Sequence, residues 1–203
     1  IHGVGLAKND VERVIDAGAA VVWCPRSNLD LLGKTLDPRR LHEAGRLALG
    51  TDSRLSGARD LLEELGGVLY RHGLNAAQLL QLVTANAARI LRESARGRLD
   101  AGAHADLVIV ADGSGDPVRS LVGIDRSRVR AVVRNGVPRI ADPDFAEWFE
   151  RAGIETVRVQ LDGRPKLMAK SLADETVIAL EPGLELVADP DRRSDSRALL
   201  EAC

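Results

Sequence analysis

Aromatic residues are almost missing from this sequence, at 2% of 203 residues. A core must therefore rest on Ala, Val, Leu and Ile, which suits helices packed closely on a parallel sheet better than an aromatic-rich antiparallel sandwich. Cysteine is as scarce. Cys24 and Cys203 stand far apart, so they build neither a disulfide framework nor a thiolate zinc site, and a reducing, cytoplasmic compartment is expected. No apolar run approaches the roughly 18 residues of a membrane-spanning helix, so no membrane partner is expected. An excess of either charge is lacking too. The 28 Lys+Arg are scattered among 30 Asp+Glu for a formal charge of -2, which offers no basic field to a phosphate backbone and argues against nucleic acid. Nothing signal-like opens the chain, but it starts on Ile1 and carries its one methionine at Met168, so it reads as truncated.

What is present is alternation. Ile1–Leu6 reads as a strand end, and Asn9 as the N-cap of a helix with Val11, Val14 and Ile15 inward and Gly18 as terminator. Residues 19–23 form a second apolar strand ending at Pro25, followed by a polar loop over 26–35. Asp37 and Pro38 open a helix that Gly45 closes before a third strand, 46–50. Helices follow over 57–71, with Leu61, Leu62, Leu65, Val68 and Leu69 at helical spacing, and from Asn75 as N-cap toward Leu91. The texture changes near residue 98. Leu107–Val110, Val129–Val133 and Val157–Leu161 are short β-rich runs, Asn135-Gly136 signals a hairpin, and 145–152 reads as one amphipathic helix. The expected domains are an α/β portion over 1–97, a β-sandwich-like module over 98–188 and a polar tail over 189–203.

Strand–helix alternation implies parallel strands, and such folds place chemistry at the C-terminal strand ends. His2, the segment Cys24–Asn28 and Asp52 all fall there. His2 is a candidate metal ligand or proton acceptor, although a solvated histidine near a chain end would look the same. Asp52 follows an apolar strand where a carboxylate can bind a divalent ion or take a proton from water; an Asx-turn aspartate is the alternative. Ser27 and Asn28 are candidate substrate contacts that also suit a turn after Pro25. Cys24 reads as a small buried residue, and His42, His72 and His104 as surface residues.

Five segments in this order, IHGVGL, CPRSNLDL, LALGTDS, TANAARIL and GRLDAGAHADLVIV, resemble the C-terminal part of the metal-dependent amidohydrolases of the cytosine-deaminase, chlorohydrolase and guanine-deaminase type. The resemblance covers about Ile1–Ala111. It implies strands six to eight of a (β/α)8 barrel followed by part of a small β-sandwich. It also implies that His2 contacts the hydrolytic water or a metal, that Asp52 binds the metal and shuttles the proton, and that Ser27 and Asn28 shape the substrate site. The activity implied is hydrolysis of a C–N bond in a small cyclic amide, amidine or aminated heterocycle, or dechlorination of a triazine-like ring.

The family's remaining ligands have no counterpart here. His2 and Asp52 are two ligands, whereas a catalytic zinc takes three protein ligands and an open position, so zinc or iron is expected only in the intact enzyme. A full barrel needs about 250 residues, which agrees. The expected partners are a small-molecule substrate and either a second copy or the missing N-terminal half. Two other readings stand beside this one: a catalytically incomplete fragment or degenerate amidohydrolase, and a small doubly wound binding domain, which the absence of a glycine-rich phosphate loop disfavours.

Overall fold

The computed structural model describes residues 1–113 and 115–187, and the polar tail expected over 189–203 lies outside them. The chain divides into two compact units. The first comprises Ile1–His104 and Ala111–Arg126; the second comprises Ala105–Val110 and the described residues from Ser127.

The first unit is built on two short parallel strands, β1 (Val21–Trp23) and β2 (Leu47–Leu49), paired in register from Val21↔Leu47 to Trp23↔Leu49. Both run the same way, so the residues after Trp23 and after Leu49 leave the pair at one end. Helix α1 (Lys8–Asp16) precedes β1. Its N-cap is Ala7 rather than Asn9, because Asp10 in the first turn accepts the Ala7 amide at 3.1 Å and starts the helix earlier. Ile1–Leu6 is not a strand end: His2 and Gly3 take φ of 70° and 71°, which ends extended geometry, although the His2 amide still donates to the Val22 carbonyl at 2.8 Å.

The stretch read as a loop over 26–35 holds helix α2 (Pro25–Leu32). Pro25 is its first residue, where the missing N–H costs nothing, and Gly33 ends it in the left-handed conformation. Helix α3 (Arg39–Glu43) is capped by Pro38, with Asp37 accepting the Arg39 amide. After β2 come α4 (Leu61–Val68), α5 (Ala76–Val83), α6 (Ala85–Ile90) and α7 (Pro117–Val122). The single helix expected from Asn75 toward Leu91 is two, because Thr84 leaves helical geometry at φ -123°, ψ -102°. Trp23, Leu41, Leu47, Leu79, Leu82 and Val122, fully buried, form the core of this unit. At about 2 kcal/mol for each large aliphatic side chain removed from water, this cluster is the main term holding the strand ends in place.

The second unit is an antiparallel sheet in the order β3-β4-β5-β7-β6-β8, with β3 (Leu107–Val110), β4 (Val129–Arg134), β5 (Val137–Ala141), β6 (Thr156–Leu161), β7 (Arg164–Ala169) and β8 (Leu184–Leu186). Asn135-Gly136 turns β4 into β5 and Asp162-Gly163 turns β6 into β7, all four at positive φ as two-residue hairpin turns require. Helix α8 (Ala146–Arg151) buries Phe149 on Ala131, Ala141 and Ala169. Helix α9 (Glu175–Leu180) adds Ile178 to Val159 and Met168. Among the described residues no helix is long and apolar enough to cross a membrane.

Candidate functional site

The shared end of β1 and β2 gathers the four candidate residues in the first unit. β1 delivers Cys24 and Pro25, and the helix opened by that proline holds Ser27 and Asn28 in its first turns, 1% and 2% exposed. β2 delivers Gly50, Thr51 and Asp52. Ser27 Oγ donates to Asp52 Oδ2 at 2.5 Å, Ser56 Oγ lies 3.4 Å from the same oxygen, and His2 Nε2 lies 3.9 Å from it.

Asn28 settles which way the imidazole is used. Its Nδ2 donates to the His2 carbonyl at 3.3 Å and to Thr35 Oγ1 at 3.0 Å; a carbonyl only accepts, so the amide orientation is fixed. Asn28 Oδ1 then faces His2 Nδ1 at 3.1 Å as an acceptor, and Nδ1 must carry the proton. In the neutral ring Nε2 is left with a lone pair, aimed toward a carboxylate. Two acceptors face each other across 3.9 Å, a pairing that holds only with a cation, a proton or water hydrogens between them. Thr35 is fixed in turn by the buried Trp23, whose Nε1 donates to Oγ1 at 2.7 Å.

The electrostatics agree with this arrangement. The Ser27 hydroxyl first, and then the Ser53 amide, hold the Asp52 carboxyl below its ordinary range, so it is an ionised acceptor. Burial, and then the charge of Asp52, push the Cys24 thiol up, so it is no nucleophile. His2 at φ 70° and Asp52 at φ 60° are both left-handed non-glycine residues. Asn135 and Asp162 share that conformation in hairpin turns, and Tyr70 and Arg92 share it just beyond the ends of α4 and α6, so positive φ does not by itself mark the site; at His2 and Asp52 it turns the chain where the two side chains meet.

The other histidines stand elsewhere. His42 pairs with Gln81 at 3.1 Å, and half-buried His72 meets the Trp23 ring edge to face at 5.2 Å, with burial first and Arg71 second lowering its pKa. A cavity of about 380 Å³ between α2 and α4 is lined by Arg26, Glu64, Arg71 and His72, but by neither His2 nor Asp52. The sequence reading missed Thr35, Ser56 and Glu64 as supports. A buried indole, which can only donate, was the available signal that a hydroxyl or carbonyl must stand near Trp23.

A profile of the amidohydrolase family matches residues 1–139. The chain belongs to the amidohydrolase family. The chain is 34% identical over 119 residues to the 5-methylthioadenosine/S-adenosylhomocysteine deaminase of Halobacterium salinarum, covering 54% of this chain and 27% of that protein. It is 29% identical over 156 residues to the 8-oxoguanine deaminase of Pseudomonas aeruginosa, covering 70% of this chain and 35% of that one. Among solved structures, the adenosine deaminase from Xanthomonas campestris with bound zinc superimposes with a TM-score of 0.61 at 26% identity, over 75% of this chain and 40% of that one. The chain thus spans between about a quarter and a third of the length of these curated relatives. The imidazole of His2 and the carboxylate of Asp52 are donor types that a divalent ion accepts, and they are two. Among the described residues no group of three or more His, Cys, Asp or Glu side chains is placed to hold a metal ion.

Proposed function

We propose that this chain contributes the sixth to eighth strand ends of a (β/α)8 barrel, with 98–188 as a sandwich-like module, to a metal-dependent hydrolase of non-peptide C–N bonds. Its substrates in this reading are small cyclic amides, amidines or aminated heterocycles, and its chemistry is deamination or the related dechlorination of a ring carbon. The observation that carries the reading is the opposed pair His2 Nε2 and Asp52 Oδ2, buttressed from behind by Asn28 and Ser27. The family membership and the deaminases among the relatives support it.

In this mechanism Asp52, kept ionised by Ser27 and the Ser53 amide, accepts a proton from the attacking water, and His2 offers the Nε2 lone pair to a hydrogen of the same water. The water oxygen bonds to the ring carbon, the C–N bond breaks, and Asp52 returns the proton to the departing nitrogen. Ser27 and Asn28 keep both groups in place and adjoin the substrate. A divalent ion such as zinc or iron, when bound beside His2 and Asp52, supplies polarisation of water at neutral pH. Its remaining ligands come from outside the described residues.

A second reading, a piece with no activity of its own, is favoured by the ligand count: two donors where three are needed. Elemental analysis and ammonia release on a panel of aminated purines and triazines decide between the two. Where the remaining ligands are supplied, the protein is expected to carry about one zinc or iron and to lose at least ~10²-fold in rate on Asp52→Asn. Wild-type turnover by Asp52→Asn would overturn the assignment, and absence of both metal and turnover would favour the inactive piece.

A further inference from the structure

One buried carboxylate is left without a task in the mechanism. Glu64, on α4, is 2% exposed, and its Oε1 accepts the Arg26 amide at 2.9 Å. That amide belongs to the first turn of α2, the turn that carries Ser27 and Asn28. Burial pushes the Glu64 pKa up, against the opposing pull of the Arg26 amide and then of the Ala58 amide, and Ala58 lies in the loop that begins at Asp52. Glu64 Oε2 has no hydrogen-bond partner. A carboxyl group buried with one oxygen unpartnered is a poor choice if the aim is only to fill space between two helices. Leucine would fill it with no such penalty.

We infer that Glu64 is a positioning residue for the proposed site, a clasp joining the start of α2 to the loop after β2 so that Ser27 meets Asp52 and Asn28 meets His2. The inference rests on the proposed hydrolytic reading for its purpose, but its geometry stands apart from it. Three segments distant in sequence converge on one side chain: Arg26, Ala58 and α4 itself. Without the clasp, the first turn of α2 keeps its helical bonds but loses its tether to the Asp52 loop. A shift of a few tenths of an ångström there separates Asn28 Oδ1 from His2 Nδ1, which are already 3.1 Å apart.

The test is long-range proton–nitrogen NMR of the histidine rings in the protein, with the His2 signals assigned by loss in His2→Gln. Wild type is expected to show His2 protonated on Nδ1. Glu64→Leu preserves volume, removes the buried carboxyl group and deletes the clasp; it is expected to fold and to shift His2 to a mixture of the two tautomers. Leu65→Ala, a core truncation on the same helix, is expected to lower the melting temperature and leave the His2 pattern unchanged. Should Glu64→Leu not fold, Arg26→Pro deletes the amide from the other end of the bond at a first-turn position that tolerates proline, with the same expected shift. An unchanged His2 tautomer in the folded clasp variant, or an equal shift in Leu65→Ala, would overturn the inference. Ring tautomers are read without turnover, so a failure of the hydrolytic proposal, seen as wild-type rates in Asp52→Asn, is a separate result.

Discussion

Asn28 holds His2 at two points at once: its carbonyl oxygen faces the ring Nδ1 at 3.1 Å, and its amide nitrogen binds the backbone carbonyl of the same residue at 3.3 Å. One buried amide thus sets both the conformation of the chain at His2 and the protonation pattern of its ring. Each half of this arrangement fixes the other, since the carbonyl bond orients the amide and the oriented amide selects the tautomer.

Removing the Ser27 hydroxyl is expected to raise the pKa of Asp52. Its carboxyl is held low in the fold, so the ionised form adds stability above the ordinary carboxylate range, and this contribution drains away as pH falls through the lowered value. Ser27→Ala moves that loss to higher pH. A carbon-13 titration of the Asp52 carboxyl, read against Asp52→Asn, checks it; an unmoved midpoint would show that the Ser53 amide suffices.

Gly57 is expected to tolerate no side chain. A Cβ there would lie 1.8 Å from the Thr51 carbonyl oxygen, the residue just before Asp52. Gly57→Ala should cost about 1–3 kcal/mol in urea unfolding. A shift of the Asp52 carboxyl signal should accompany the loss, because the carbonyl that must yield belongs to its neighbour.

Trp23→Phe keeps a ring in the core but deletes the indole donor to Thr35. The expected loss is about 0.5–1.5 kcal/mol in urea unfolding, the net value of one such bond. Thr35→Val strips the acceptor from this bond and from the Asn28 amide, so it should cost more than Trp23→Phe, and the double variant should lose less than the sum of the two.

Cys24 is expected to resist alkylation. Its thiol is buried, with burial first and then the charge of Asp52 keeping it protonated. In a Cys203→Ser background, iodoacetamide at pH 8 should modify it far more slowly in the folded protein than in urea. Equal rates would mean that the strand end opens readily.

The parts of this molecule that can be read from the sequence are those encoded locally. Two apolar runs followed by polar residues give β1 and β2, and a strand end at Leu49 brings Asp52 to the rim. Asn135-Gly136 marks its hairpin because only a few residues accept positive φ. Helix α2 escapes this logic because Pro25 serves equally as a stop for one element and a start for the next, and the deciding residue, Gly33, stands eight positions later. Asn9 offers a better cap than Ala7 by propensity, yet Asp10 reaching back outweighs it. The supports of the site are least legible. Thr35 reaches Trp23 and Asn28, and Glu64 reaches Arg26, only through tertiary packing, across separations no local pattern records.

Glycine adopts φ near +60° freely, and the first unit uses it so at Gly18, Gly33 and Gly45. At His2 and Asp52 the same backbone shape is kept with a full side chain attached. The consequence is a trade of robustness for chemistry: His2→Gly and Asp52→Gly are substitutions that relax the fold while emptying the site. A library selected only for thermal endurance is free to exchange the Ser27 and Asn28 bonds for a relaxed backbone at these two positions, whereas one selected for turnover must keep both side chains.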